Sequence, residues 1–204
     1  MARTFAVVPA AGHSARMGEP KLLLPLAGEP LVWHTIRAWQ RSQVDQIVVV
    51  VRPGDERLAE VVSRAGALLV IPAVPPPDMK ASIQAALQQI DEQFSPVGAD
   101  AFLVAPADMP RLSPAIIGAL IHRHQKENQR ILVPTITGQR GHPVLFPWPL
   151  AAEVHALAEN EGLDAIVRRH EPLQVACDEF VAAEEHPFAD IDTPQDYRRL
   201  SENT

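Results

Sequence analysis

Residues 7–24 read VVPAAGHSARMGEPKLLL. The apolar run of residues 5–8 leads into them and has the pattern of a buried strand. Pro9-Ala10-Ala11-Gly12-His13-Ser14-Ala15-Arg16-Met17-Gly18 is then a loop of small residues carrying one base, and Lys21 follows before Leu22-Leu23-Leu24. Small residues let a backbone approach a ligand closely, and glycine tolerates positive φ. Successive backbone N–H groups in such a turn form an anion-binding nest. Arg16 and Lys21 add positive charge suited to a polyphosphate. By composition alone, a plain surface loop after a first strand fits as well.

The spacing excludes two well-known phosphate loops. A Walker loop needs G-x-x-x-x-G-K-[ST], and Gly18 is followed by Glu19. A dinucleotide fingerprint needs G-x-G-x-x-G, and Ser14 stands where its second glycine would be. A dinucleotide-dependent oxidoreductase is disfavoured on the same ground.

Outward from this loop, strand and helix patterns alternate. Residues 30–41 have helical spacing at Leu31, Val32, Ile36 and Trp39, and Pro30 suits the first turn. Strands are expected at 46–51, 67–71, 100–105, 130–135, 143–146 and 174–176. Helices are expected at 55–65, 79–90, 114–124, 149–158, 162–170 and from Thr193-Pro194 through Leu200. Such alternation implies βαβ units, right-handed crossovers and a mostly parallel sheet in an α/β fold. Ligands of open sheets sit beyond the carboxyl ends of the strands. The first loop, residues 72–79 and residues 106–110 all fall there.

With 204 residues the chain can bury one sizeable core, and no linker divides it, so a single domain over 1–204 is expected. A net charge of −7 argues against a general nucleic-acid or anionic-membrane binder. The single cysteine, Cys177, cannot form an intrachain disulfide, which suits a reducing cytoplasmic setting. The N-terminal residues have no signal-peptide pattern, and no apolar run approaches the roughly 20 residues that span a bilayer.

The motif A-A-G-x-S-x-R-M-G-x-x-K-L-L, running from Ala10 to Leu23, resembles the signature loop of MobA-like nucleotidyltransferases, and most of all their molybdenum cofactor cytidylyltransferase branch. The resemblance covers almost the whole chain. It implies a Rossmann-like three-layer sandwich of the nucleotide-diphospho-sugar transferase type. It also implies that Ala10, Ala11, Gly12, His13 and Ser14 cradle a nucleoside triphosphate whose phosphates meet Arg16 and Lys21. Ser82, in Met79-Lys80-Ala81-Ser82, matches a helix-start position near the nucleotide. Family members often have a glycine-bearing segment before it; here Pro76-Pro77-Asp78 stands there and the glycine is missing.

Asp108, in Pro106-Ala107-Asp108-Met109-Pro110, takes the family's metal-ligand position. As a residue type it is equally at home as a turn former. Asp190-Ile191-Asp192-Thr193-Pro194-Gln195-Asp196 resembles the family's D-I-D-T-P-x-D ending. Asp190 or Asp192 would complete a Mg²⁺ site there, with Asp192 preferred, although Asp192 or Thr193 could instead cap the last helix. Arg140-Gly141-His142-Pro143 resembles the segment that faces the acceptor. Gly162 survives from a G-D-x-G-A-R segment on the pterin side, while its basic residue is replaced by Ile166.

The implied reaction is Mg²⁺-dependent transfer of a nucleotidyl group to a phosphorylated acceptor with release of pyrophosphate. CTP is favoured because guanylyl members more often have glycine where Ala11 stands. Molybdopterin is the favoured acceptor, with a molybdoenzyme or chaperone receiving the product. A sugar- or alcohol-phosphate acceptor, as in methylerythritol cytidylyltransferases, stays open, as does a non-catalytic nucleotide-binding module that delivers cofactor.

Overall fold

A computed structural model of the chain describes residues 2–14, 17–180 and 187–202. Its strands are β1 Thr4–Pro9, β2 Pro25–Leu26, β3 Glu29–Pro30, β4 Gln46–Val50, β5 Leu68–Val70, β6 Ala101–Val104, β7 Leu132–Ile136, β8 Gln139–Arg140, β9 Val144–Pro147 and β10 Leu173–Ala176. Its α-helices are α1 Leu31–Gln40, α2 Glu56–Arg64, α3 Met79–Phe94, α4 Pro114–His124, α5 Ala151–His155, α6 Leu163–Arg169 and α7 Pro194–Glu202.

Eight strands make one sheet in the order β10-β7-β9-β6-β1-β4-β5, with β8 paired to β7. β1 runs parallel to both β4 and β6, in a register that sets Val8 opposite Val49 and Val7 opposite Val104. β9 is antiparallel to its neighbours β6 and β7. The reason is the connection. A parallel partner needs a crossover of a dozen or more residues, whereas β7 returns through the short β8 segment. Thr137 and Gly138, with φ of 49° and 78°, form the tight turn between β7 and β8.

Every residue of β1 is buried, as a central strand covered on both faces requires. Side-chain alternation divides the core into two layers. Ala6, Val8, Val49 and Leu103 pack with Leu31, Ile36 and Trp39 of α1, Leu58 of α2 and Ile117 of α4. Phe5, Val7, Val48 and Phe102 pack with Ile83 and Leu87 of α3, Val154 of α5 and Ile166 of α6. The result is the three-layer sandwich expected from the sequence.

Local chemistry sets the helix ends. The Asp55, Asp78 and Ser113 side chains accept from the amides of Leu58, Ala81 and Ile116, as N-caps do. α3 runs four residues beyond its expected end at Ile90, to a left-handed cap at Ser95. The helix expected at 149–158 opens as a 3₁₀ turn, Trp148–Leu150, with Pro149 in its first turn, and continues as α5 only to His155. Among the described residues no helix is long and apolar enough to cross a membrane.

Candidate active site

The parallel strands end on one edge of the sheet, and the loops that leave them build a cleft of about 510 Å³. The first loop continues β1, with the Ala10 amide donating to the Val50 carbonyl at 2.9 Å. Ser14 turns it back. Ser14 adopts left-handed φ of 50°, its carbonyl accepts from the Met17 amide at 2.9 Å, and its hydroxyl accepts from the Lys21 amide at 3.3 Å. A Cβ added at Gly12 would meet nothing within 4 Å, so the loop leaves open space at its bend. Leu22 is buried and anchors the 3₁₀ turn Lys21–Leu23, which holds the Lys21 side chain at the cleft. Arg16, expected to meet the phosphates, lies outside the described residues.

Asp108 projects from the turn after β6. The buried Thr35 hydroxyl on α1 fixes that turn by donating to the Ala107 carbonyl at 2.9 Å. The C-terminal segment joins it there, with the Ile191 amide donating to the Asp108 carbonyl at 3.1 Å. The Lys21 ammonium then lies 2.5 Å from Asp108 Oδ2 and 3.1 Å from Asp192 Oδ1. Burial alone would lower the Lys21 pKa, but hydrogen bonds and charge from Asp108 and Asp192 outweigh it and raise the pKa above its ordinary 10.5. Asp190 is exposed and lines the same cleft.

A divalent cation fits this corner. Asp108 Oδ1 is buried without a hydrogen-bond partner, and the side chains on offer are hard carboxylates. Among the described residues no group of three His, Cys, Asp or Glu side chains could hold a metal. Two carboxylates would therefore need phosphate or water oxygens to complete a shell.

Ala10, Ala11, Gly12, His13, Ser14, Lys21, Ser82, Asp108 and Asp192 all line the cleft. Ser82 is almost fully buried, and its hydroxyl donates to the Asp78 carbonyl at 3.3 Å within the first turn of α3. The three residues expected at the acceptor do not line the cleft. Arg140 is exposed on β8, and Gly141 lies beneath the Phe188 ring. His142 is half-buried near Asp108 and Asp190. Burial lowers its pKa, against opposing pulls from the Val104 backbone and those two carboxylates. Burial also pushes the Cys177 thiol up to about 11, so it is protonated at neutral pH and unsuited to nucleophilic work.

Sequence reasoning missed Thr35, Arg52 and Phe188. Arg52 follows β4 and donates to His13 Nδ1 at 2.6 Å. A guanidinium only donates, so Nδ1 is the acceptor in this bond. Position gave a usable signal for Arg52, which follows an apolar strand at the ligand edge. Thr35 is a lone hydroxyl on the apolar stripe of α1.

The sheet order, the loop after its first strand and the aspartates facing it define an α/β protein of nucleotidyltransferase fold. The chain belongs to the family described as MobA-like NTP transferase domain, whose model matches residues 6–174. A probable molybdenum cofactor guanylyltransferase of Natronomonas pharaonis is 30% identical over 210 aligned residues, covering 99% of this chain and 98% of that protein. A 2-C-methyl-D-erythritol 4-phosphate cytidylyltransferase of Ralstonia nicotianae is 47% identical over 60 residues, covering 28% of this chain. The match spans only 24% of that relative's length. The Rv0371c protein of Mycobacterium tuberculosis, crystallised in complex with manganese, shares the fold with a TM-score of 0.75 at 23% identity, over 99% of this chain and 100% of that one.

Proposed function

We propose that the chain, as one domain over residues 1–204, transfers a nucleotidyl group from a nucleoside triphosphate to a phosphorylated acceptor and releases pyrophosphate. The observation that carries this reading is the Lys21 ammonium set against both Asp108 and Asp192 beside the Ala10–Ser14 loop. An acceptor phosphate oxygen attacks the α-phosphorus, and the bond to the leaving pyrophosphate breaks in line. The amides of the loop, with Lys21 and Arg16, neutralise and orient the triphosphate. Asp108 and Asp192 hold a divalent ion, Mg²⁺ by preference, and the manganese complex of the Mycobacterium tuberculosis protein suits a divalent site in this fold. Bound there, the ion supplies Lewis acidity and a template on the phosphate oxygens. Asp192 is preferred over Asp190 because its carboxylate shares Lys21 with Asp108, whereas Asp190 is exposed.

The reading is completed by CTP as nucleotide and molybdopterin as acceptor, in the cytoplasm, with the product passed to a molybdoenzyme or its chaperone. Neither nucleic acid nor membrane is a partner. Ala11 in place of a second glycine favours CTP. His142 and Arg140 serve the acceptor side, and His142 faces the charges of Asp108 and Asp190. Gly141 belongs to the same wall through its backbone.

Two observations favour rivals within the class. The relative aligned along its whole length is a probable guanylyltransferase, and the 47% match is to a methylerythritol phosphate cytidylyltransferase. A pyrophosphate-release screen decides among them, with four nucleoside triphosphates against molybdopterin, methylerythritol phosphate and sugar phosphates. Release with CTP and molybdopterin is the expected result. Release only with GTP, or only with a non-pterin acceptor, rejects the specific reading. No release with any matched pair would leave a nucleotide-binding delivery module.

A further inference from the structure

The Phe188 ring lies so close over Gly141 that a Cβ there would stand 2.1 Å from Cγ, 2.2 Å from Cδ2 and 2.3 Å from Cδ1 of the ring. Gly141 cannot retreat, because its amide donates to the Pro134 carbonyl of β7 at 3.0 Å. Ordinary contact begins at 3.4 Å. Any side chain at 141 therefore drives the whole ring back by more than an ångström.

Phe188 stands two residues before Asp190 and four before Asp192. Ile191 between them is buried, and its amide is bonded to the Asp108 carbonyl. We infer that Gly141 is a positioning residue: its bare Cα seats Phe188, and that seat sets the Asp190–Asp192 segment against Asp108. The inference rests on the reading of Asp108 and Asp192 as metal ligands. Supports behind metal ligands typically matter by 10- to 100-fold in affinity.

The test uses Gly141→Ala, Phe188→Ala and the double variant of the full chain, each checked by thermal melting. Two readouts are taken: hydrogen exchange of the Ile191 amide, and Mn²⁺ affinity in the presence of pyrophosphate by paramagnetic relaxation. Gly141→Ala should speed Ile191 exchange and weaken Mn²⁺ by about tenfold. The double variant should be no worse than Phe188→Ala, since both changes break one contact. Unchanged exchange and Mn²⁺ affinity in Gly141→Ala would overturn the inference, as would simple additivity. If Gly141→Ala does not fold, Phe188→Ala carries the test, and wild-type Mn²⁺ affinity in that variant overturns it. Wild-type Mn²⁺ affinity in Asp108→Asn would instead reject the metal reading, while the exchange result still judges the seat.

Discussion

Lys21 and Asp108 stand 87 residues apart in sequence and meet at 2.5 Å. The contact depends on two separate chain reversals: Ser14 bends the first loop back, and Thr35 pins the turn after β6. A divalent ion at this corner would share the same two carboxylates with the Lys21 ammonium.

Asp108→Asn tests the carboxylate. Asparagine matches the size and shape of the side chain, and the Asp108 carbonyl that accepts from Ile191 is untouched. Turnover should fall on the order of 100- to 1,000-fold, the scale of losing one electrostatic contact in a site, with the fold retained and at most about 2 kcal/mol of stability lost with the charge pairing to Lys21. Steady-state pyrophosphate release and a thermal melt check it. Normal turnover would remove Asp108 from the chemistry.

Lys21→Ala should separate stability from catalysis. It removes the cation that bridges Asp108 and Asp192, so the protein loses about 2 kcal/mol at neutral pH, on the scale of hydrogen bonds to charged groups. Mg²⁺ or Mn²⁺ should then raise the melting temperature of the variant more than that of the wild type, because the ammonium no longer competes for the carboxylates. The Lys21 pKa is raised in the fold, so its contribution is fully present below 10.5 and is lost as pH rises through the folded value. The difference between the two proteins should therefore persist through neutral pH and narrow at strongly alkaline pH. Equal metal-induced shifts would show that Lys21 does not share the metal's ligands.

Much of this was legible in residue order. Strand and helix positions follow from apolar spacing, and so does the place of the first loop and of Asp108 just past apolar strands, whereas the roles of Asp108 and Asp192 come only from the family resemblance. The antiparallel course of β9 was not legible from apolar runs, since β-branched strands look alike in either direction and only the short connection decides. The seat of Phe188 over Gly141, 47 residues away, is a tertiary contact that has no local signature. Thr35 was passed over because one hydroxyl on an apolar helix face matters only through the carbonyl it meets.

Asp100 offers a pH test remote from the cleft. Its carboxylate accepts from the Arg3 and Val97 amides and pairs with the Arg3 guanidinium at 2.7 Å. Burial alone would raise its pKa, but these bonds prevail and hold it below the ordinary 3.8. Its stabilisation is therefore present above 3.8 and is lost as pH falls through the folded value. Asp100→Asn should cost about 2 kcal/mol at pH 7, discounted for the partly exposed Arg3, and much less in acid. Urea unfolding at neutral and acidic pH measures both, and a pH-independent difference would contradict the assignment.

Thr35 closes the chain of support behind Asp108. Thr35→Val keeps the shape and removes the hydroxyl that donates to the buried Ala107 carbonyl. An unsatisfied buried acceptor costs about 1–3 kcal/mol, so the variant should melt lower. Because that carbonyl belongs to the residue before Asp108, the loosened turn should also raise the metal concentration needed for half-maximal turnover. Thr35→Ser keeps the hydroxyl and loses only a methyl, so it should restore the metal dependence while recovering only part of the stability. If Thr35→Val lowers the melting temperature and leaves the metal requirement at the wild-type value, Thr35 supports the core alone and not the aspartate.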